Sequence, residues 1–293
     1  MLKRINWKAV LNVFTWLVSL TGLVMLMSFI EVKKSETPCT DVKVIIPGTA
    51  GFIERPEVDK IIFANQGPLT GKMLYSVNIH QIENALKENP YIEHARVFSD
   101  MNGVITVQVQ QRQPLLRVIN LTNQDFYIDR NGLKIPTSLN FSARVLPANG
   151  FIMEGFAGQV DTLKTPIAED LYKAALFIEK DTLWSRQIEQ LYVNQQEEIE
   201  MIPRVGDHVI ILGNADSLDK KFKKLLLFYK KVLPKAGWGT YKTINVKYAN
   251  QIVCERSDRT DSIIQALAAA PDTLAAVSDT VKKTVQDTSI IVQ

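Results

Sequence analysis

From Val10 to Ile30 the chain reads VLNVFTWLVSLTGLVMLMSFI, a run without a single charged residue. Coiled as a helix at about 1.5 Å per residue, it extends roughly 30 Å, the thickness of a bilayer's hydrocarbon core. A buried core helix and a cleaved signal peptide are the competing readings. A signal peptide has an apolar region of only about 7–15 residues and ends at a small-x-small cleavage site. Here Ser28-Phe29-Ile30 runs on into Glu31. The pattern therefore predicts a retained single-pass anchor over residues 10–30. Asn12, Thr15, Ser19 and Thr21 can bond within that helix or to a neighbouring one. Lys3, Arg4 and Lys8 precede the run and Lys33 and Lys34 follow it, a slight positive-inside bias. With no second such run downstream, residues 1–9 are expected inside the cytoplasm and the bulk of the chain outside it.

The 293 residues, 46% of them hydrophobic, suffice for one to three domains with sizeable cores. A net charge of +3 is too small to imply a nucleic-acid partner, and no lysine/arginine block is interleaved with aromatics. Cys39 and Cys254 are compatible with an oxidising compartment. Their positions, close after the anchor and at the end of the last apolar run, argue against a bond between them.

Between Val42 and Gln111 the pattern reads strand, helix, helix, strand, strand. VKVIIPG is a short β-rich run. RPEVDKIIFANQG predicts a helix with Pro56 in its first turn, Val58, Ile61 and Ile62 inward, and Gly67 just past its end. In VNIHQIENALKENP, Asn78 and Gln81 have capping-box spacing, Val77 and Ile82 form a hydrophobic staple, and Pro90 closes the segment. IEHARVFS and VITVQVQ flank an Asn-Gly turn and predict a hairpin with Ile105, Val107 and Val109 on one face.

After Pro114 come short strands (LLRVIN, DFYIDRNGLKIP), a helix capped by Thr165 with Ile167, Leu171, Ala174 and Ile178 inward, then three strands in QIEQLYVN, EIEMIP and HVIILG. SLDKKFKKLLLFYKKVLPKAG predicts a long amphipathic helix ended by Pro234 and Gly237, and YKTINVKY with QIVC a closing hairpin. At about 100° per residue, Leu218, Phe222, Leu225, Tyr229 and Val232 form the inward stripe of that helix. Leu227 falls opposite, among Lys220, Lys223, Lys230 and Lys231, with Phe228 on the flank. The whole is α+β with a mostly antiparallel sheet. Residues 257–293 carry no aromatic and no sustained periodicity, and are expected to form a disordered tail.

Four stretches, in this order and spacing, resemble the FtsQ/DivIB family of bacterial cell-division proteins: GKMLYSVNIHQIENALKENPYIEHARVFSDMNGVITVQVQQRQPLLRV, FYIDRNGLKIP, VGDHVIILGNADSLDKKFKKL and INVKYANQIVC. The phrase ARVLPANGFI is similar to the Bacteroidetes branch. The resemblance implies a POTRA domain (β-α-α-β-β) over 40–112 and a second β domain with flanking helices over 113–256. It also implies placement in the inner membrane at the division septum, the C-terminal domains being periplasmic. Asn245 and Lys247 depart from the family's usual Asp and Arg, and lysine lacks the bidentate fork, so carboxylate pairing at Lys247 is expected to be less directional.

No catalytic constellation stands in the sequence. His80, His94 and His208 lie in different elements without ligand-spaced partners and are expected at the surface or in caps. GPLTGKML is one residue short of a P-loop and lacks Ser/Thr after Lys72. The reading is a non-catalytic scaffold with no cofactor. An apolar last strand without a following strand leaves a sheet edge to which an extended partner can add. The resemblance implies FtsB, with FtsL, as that partner. The expected contact residues are Lys247, Tyr248, Gln251, Ile252, Val253 and Cys254, with Leu227 and Phe228 as an apolar spot in a lysine field. The alternative is a POTRA-containing periplasmic chaperone for envelope proteins, which would call for tandem POTRA repeats or a barrel.

Overall fold

The computed structural model describes residues 7–48 and 51–257, the side chains of 7–10 and 27–36 excepted. The expected cytoplasmic head and C-terminal tail thus lie, almost entirely, outside the described residues. The chain divides into two compact units, Met1–Arg112 and Gln113–Gln293.

The first unit opens with helix α1 (Trp7–Glu36). Its described side chains, residues 11–26, are all exposed. Among the described residues no helix is long and apolar enough to cross a membrane; the uncharged run Val10–Ile30 extends at both ends past residues 11–26, whose side chains are described. After α1 come β1 (Asp41–Ile45), α2 (Arg55–Gln66), α3 (Ile79–Lys87), β2 (Ile92–Ser99) and β3 (Val104–Gln111). β2 and β3 form the expected antiparallel hairpin, and β1 pairs parallel to β3 on its other side. Val58 and Ile62 of α2 and Ile82 and Leu86 of α3 bury against Ala95, Val97, Ile105, Val107 and Val109. The cap of α3 differs in one respect from the expected box. Asn78 Oδ1 accepts the Gln81 N–H at 3.1 Å, but the Asn78 N–H donates to Gln66 of α2 rather than back to Gln81. The cap therefore also ties the two helices together.

The second unit contains β4 (Pro114–Ile119), β5 (Asp125–Asp129), β6 (Leu133–Pro136), β7 (Leu146–Gly150), β8 (Asp161–Thr162), α4 (Pro166–Lys180), α5 (Trp184–Gln187), β9 (Ile188–Val193), β10 (Ile199–Pro203), β11 (Val209–Gly213), α6 (Leu218–Lys231), α7 (Leu233–Ala236), β12 (Tyr241–Asn245) and β13 (Val253–Arg256). These make one ten-stranded sheet in the order β13-β12-β11-β10-β9-β7-β4-β5-β6-β8. Six of its pairings are antiparallel and three, β11–β12, β4–β7 and β7–β9, are parallel. α4 and α6 share one core with the sheet, meeting where Phe177 stacks on Phe222 at 4.7 Å.

Pro234 does not end the long helix but begins α7, after α6 has stopped at Lys231. This is where proline's missing N–H is tolerated, in a first turn. β7 was not expected from the sequence, yet it lies in the middle of the sheet. His208 is 1% exposed, against the expected surface or capping role, because its ring packs edge-on against Tyr229, which in turn meets Trp238. Two further charged groups are fully buried. Lys134 Nζ lies 2.5 Å from Glu154 Oε1, and Glu154 also accepts the Thr165 hydroxyl and the backbone N–H groups of Lys164 and Thr165. The long β7–β8 connection is thereby clipped to the start of α4.

Candidate functional site: the last strand and its loop

β13 pairs antiparallel with β12 and has no other neighbour among the described residues. The last strand lies at the edge of the sheet among the described residues, two residues later than the sequence suggests. It runs Val253–Arg256, so Glu255 and Arg256, expected beyond the strand, form its second half. Glu255 sits 3.7 Å from Lys242 of β12 and accepts the Thr243 hydroxyl at 3.4 Å. A register shift between Tyr241 and Thr243 accommodates the extra length. The edge thus carries two charges, which by themselves discourage indiscriminate pairing.

Of the expected contact residues, Val253 is 46% exposed and Tyr248 43%. Gln251 is exposed and precedes the strand. Ile252 is a correction: it is buried in the core and holds the strand rather than facing a partner. Cys254 is half-buried against the same core, and burial pushes its thiol up to about 12, so it is a protonated packing group.

Two lysines fasten the loop that presents this strand, and a third fixes the turn before α6. Lys224 of α6 donates to the carbonyls of Val246 at 3.2 Å, Gln251 at 3.5 Å and Tyr248, so one ammonium gathers three acceptors of the 246–251 loop. Burial holds its pKa below the usual lysine range. One turn earlier, Lys221 is buried and donates to the carbonyls of Leu212 and Asn214 and to the Asn214 side chain, at 2.9–3.0 Å. It thereby fixes the turn between β11 and α6. Lys247 reaches Glu198 at 2.9 Å, with its ammonium 5.3 Å from the Tyr248 ring centre. The hydrogen bond it donates to the Glu198 carboxylate raises its pKa. Lys247 is thus paired within the chain, to the β9–β10 hairpin. Gly213, at φ +75, lies under it: a Cβ there would come within 3.0 Å of Lys247 Cβ.

Helix α6 also corrects the expected apolar spot. Phe228 is 6% exposed and packs on Tyr241 of β12, ring centres 5.5 Å apart. The buried stripe runs through Lys221, Phe222, Leu225 and Phe228, while Leu218, Tyr229 and Val232 are only partly buried. The helix is rolled toward β12, because it crosses from β11 to β12 and must cover both. Leu227 remains exposed at 37%. Sequence reasoning missed Lys221 and Lys224 because a lysine-rich helix reads as a solvated face. Their i, i+3 spacing on the side next to Leu225 was the available signal.

Comparison with known proteins agrees with the two units. Residues 113–255 match the family model described as FtsQ/DivIB, C-terminal related, and residues 37–110 match a POTRA-like domain. A cell division protein FtsQ from Rickettsia felis is 24% identical over 117 residues. That match covers 40% of this chain and 42% of the relative's length.

Proposed function

Since the chain belongs to the FtsQ/DivIB family and carries a POTRA-like domain, we propose that it is a non-catalytic, membrane-anchored scaffold of the cell-division machinery. In this reading the uncharged run Val10–Ile30 anchors it in the inner membrane as a single pass. The N-terminus is cytoplasmic, and the POTRA-like domain and the ten-stranded sheet that follow the anchor stand in the periplasm at the septum. The scaffold recruits FtsB- and FtsL-type partners, linking division-site assembly to septal wall synthesis.

The observation that carries the reading is the one-sided pairing of β13. Its outward backbone groups offer main-chain hydrogen bonds to an added strand, and Val253 and Glu255 offer side-chain register. The other contacts proposed are Tyr248, Lys247 and Gln251 at the loop, and Leu227 on the adjoining helix.

The test places proline in the strand. Successive N–H groups of a strand point in alternate directions, so one of Val253→Pro and Cys254→Pro removes an outward donor. That variant is expected to remain folded and membrane-located, to lose FtsB- and FtsL-type proteins on co-purification after in-cell crosslinking, and to fail in division. Undiminished co-purification with both variants, each folded, sinks docking at this edge. Protease added to spheroplasts tests the topology: protection of the chain beyond residue 36 contradicts it.

A further inference from the structure

Where the first unit meets α1, two loops grip the chain. Thr37 O accepts the Leu74 N–H at 3.0 Å, Cys39 N–H donates to Lys72 O at 2.7 Å, and Gly71 N–H donates to Cys39 O at 2.8 Å. Pro38 pairs with Met73 in an isolated bridge. From the other side, Thr40 N–H donates to Gly103 O at 2.9 Å, and the Thr40 hydroxyl donates to Asn102 O at 3.3 Å. Gly103, at φ +89, is needed for this approach, since a Cβ there would fall 2.3 Å from Pro38 O.

Each of these loops exposes large apolar side chains. Met73 is 42% and Tyr75 68% exposed on one, and Met101 is 60% exposed at the hairpin tip of the other. The turn Leu74–Ser76 (a single helical turn) lies beside α1. Because Leu74 bonds to Thr37, it sits at that helix's C-terminal end. The aspartates at this end are bonded to backbone: Asp41 to the Val42 N–H, and Asp100 to the N–H groups of Asn102 and Val104.

We infer that this end of the first unit rests in the headgroup layer of the bilayer, with Met73, Tyr75 and Met101 at the interface. The inference rests on the reading of α1 as the anchor. Thr37 follows Ile30 by seven residues, about 10 Å of helix rise. The headgroup layer is about 5–8 Å deep on each side. The chain therefore leaves α1 near the outer rim of that layer, and side chains of Met and Tyr length reach back into it. An apolar body with a wet tip is the composition interfaces select, tyrosine above all. Three contacts on two loops around one exit point define a plane, so the bilayer would set the tilt of the unit as well as its distance.

The experiment uses the full chain in nanodiscs of phosphatidylethanolamine and phosphatidylglycerol. Cys254 is replaced by Ala, and the fully buried Cys39 is left in place. Nitroxide labels are introduced singly at Tyr75→Cys, Met101→Cys, Glu88→Cys and Leu20→Cys. Glu88 lies at the opposite end of the unit, beside the start of β2. Oxygen concentrates in lipid and a water-soluble nickel chelate is excluded from it. The expected ratio of oxygen to chelate accessibility at 75 and 101 is several times that at 88, with 20 reading the bilayer interior. Labels at 75 and 101 that match 88, while 20 reads lipid, overturn the inference and leave the anchor standing. A label at 20 that reads water removes the anchor and this inference with it.

Discussion

Lys224 Nζ stands 3.2 Å from the carbonyl oxygen of Val246, which makes a helix lysine the fastener of the loop before the last strand. Replacing it with methionine keeps the stem and removes the ammonium from three carbonyls. The fold should survive, because Leu225 and Phe228 still pack α6 on the sheet. The strand should open more often, and Cys254 is its reporter. In the Lys224→Met variant, alkylation of Cys254 should accelerate about tenfold, equivalent to about 1.4 kcal/mol of opening, while the buried Cys39 stays at its wild-type rate. An unchanged Cys254 rate would show that the β12 ladder alone holds the strand.

Leu227→Ser tests the one apolar side chain that α6 leaves exposed. The melting temperature should hold within a degree or two, as surface substitutions stay within about 0.5 kcal/mol. Binding of the FtsB–FtsL complex should weaken about ten- to a hundredfold if a partner buries this leucine, since that burial contributes roughly 1.5–3 kcal/mol. Full-strength binding makes it an ordinary surface residue.

His208 gives the second unit a pH dependence with a definite sign. Burial holds its pKa below the usual imidazole value, Asp207 opposing only in part. Nε2 is 2.8 Å from the Tyr229 hydroxyl, and a backbone hydrogen bond at Trp238 joins Asp207 in opposing the burial without outweighing it. The unfolded chain takes up a proton near pH 6.5 and the folded one does not. The stabilisation is thus complete above about pH 6.5 and declines as pH falls, by up to about 1.4 kcal/mol per pH unit until the folded-state pKa is reached. His208→Phe should flatten the melting temperature between pH 7.5 and 5.5; an equally steep profile would place the titration elsewhere.

The Lys134–Glu154 pair behaves as a buried unit. Burial pushes the Glu154 carboxyl up, but the Lys134 ammonium, the Thr165 hydroxyl and two backbone N–H groups outweigh it and hold the pKa below the usual range. Its contribution is present above the ordinary glutamate value and lost as pH falls through the lowered one. Glu154→Ala removes the nearest carboxylate from a buried ammonium, leaving it Gly155 O at 2.9 Å and Asp161 at 3.6 Å, and should cost about 3 kcal/mol, whereas Lys134→Met with Glu154→Leu should cost much less than the sum of the single changes. Calorimetry on the three variants checks this, and additive losses would mean the two groups act separately.

Elements with a strong local signal were legible: the Asn78 and Thr165 caps, the Asn-Gly hairpin, and the alternation of Ile105, Val107 and Val109. β7 was not, because Pro147, Ala148, Asn149 and Gly150 all disfavour strands. Only its place between β4 and β9 makes it one. The edge was legible as an edge, but its start was not, since the carbonyls that Lys224 collects draw out the 246–251 loop and delay the strand to Val253. Burial of Phe228, His208 and Lys134 depends on which elements the tertiary fold sets beside them, and no spacing rule reports that.

Every other strand of the ten-stranded sheet precedes Val253–Arg256 in the chain. On the docking reading, the surface that admits partners is therefore the final piece of that sheet to leave the ribosome and cross the membrane. A stalled or clipped polypeptide would have most of its sheet but lack the edge to which a partner strand adds. The order of residues along the chain would thus act as a proofreading step, keeping unfinished molecules from seeding a division site.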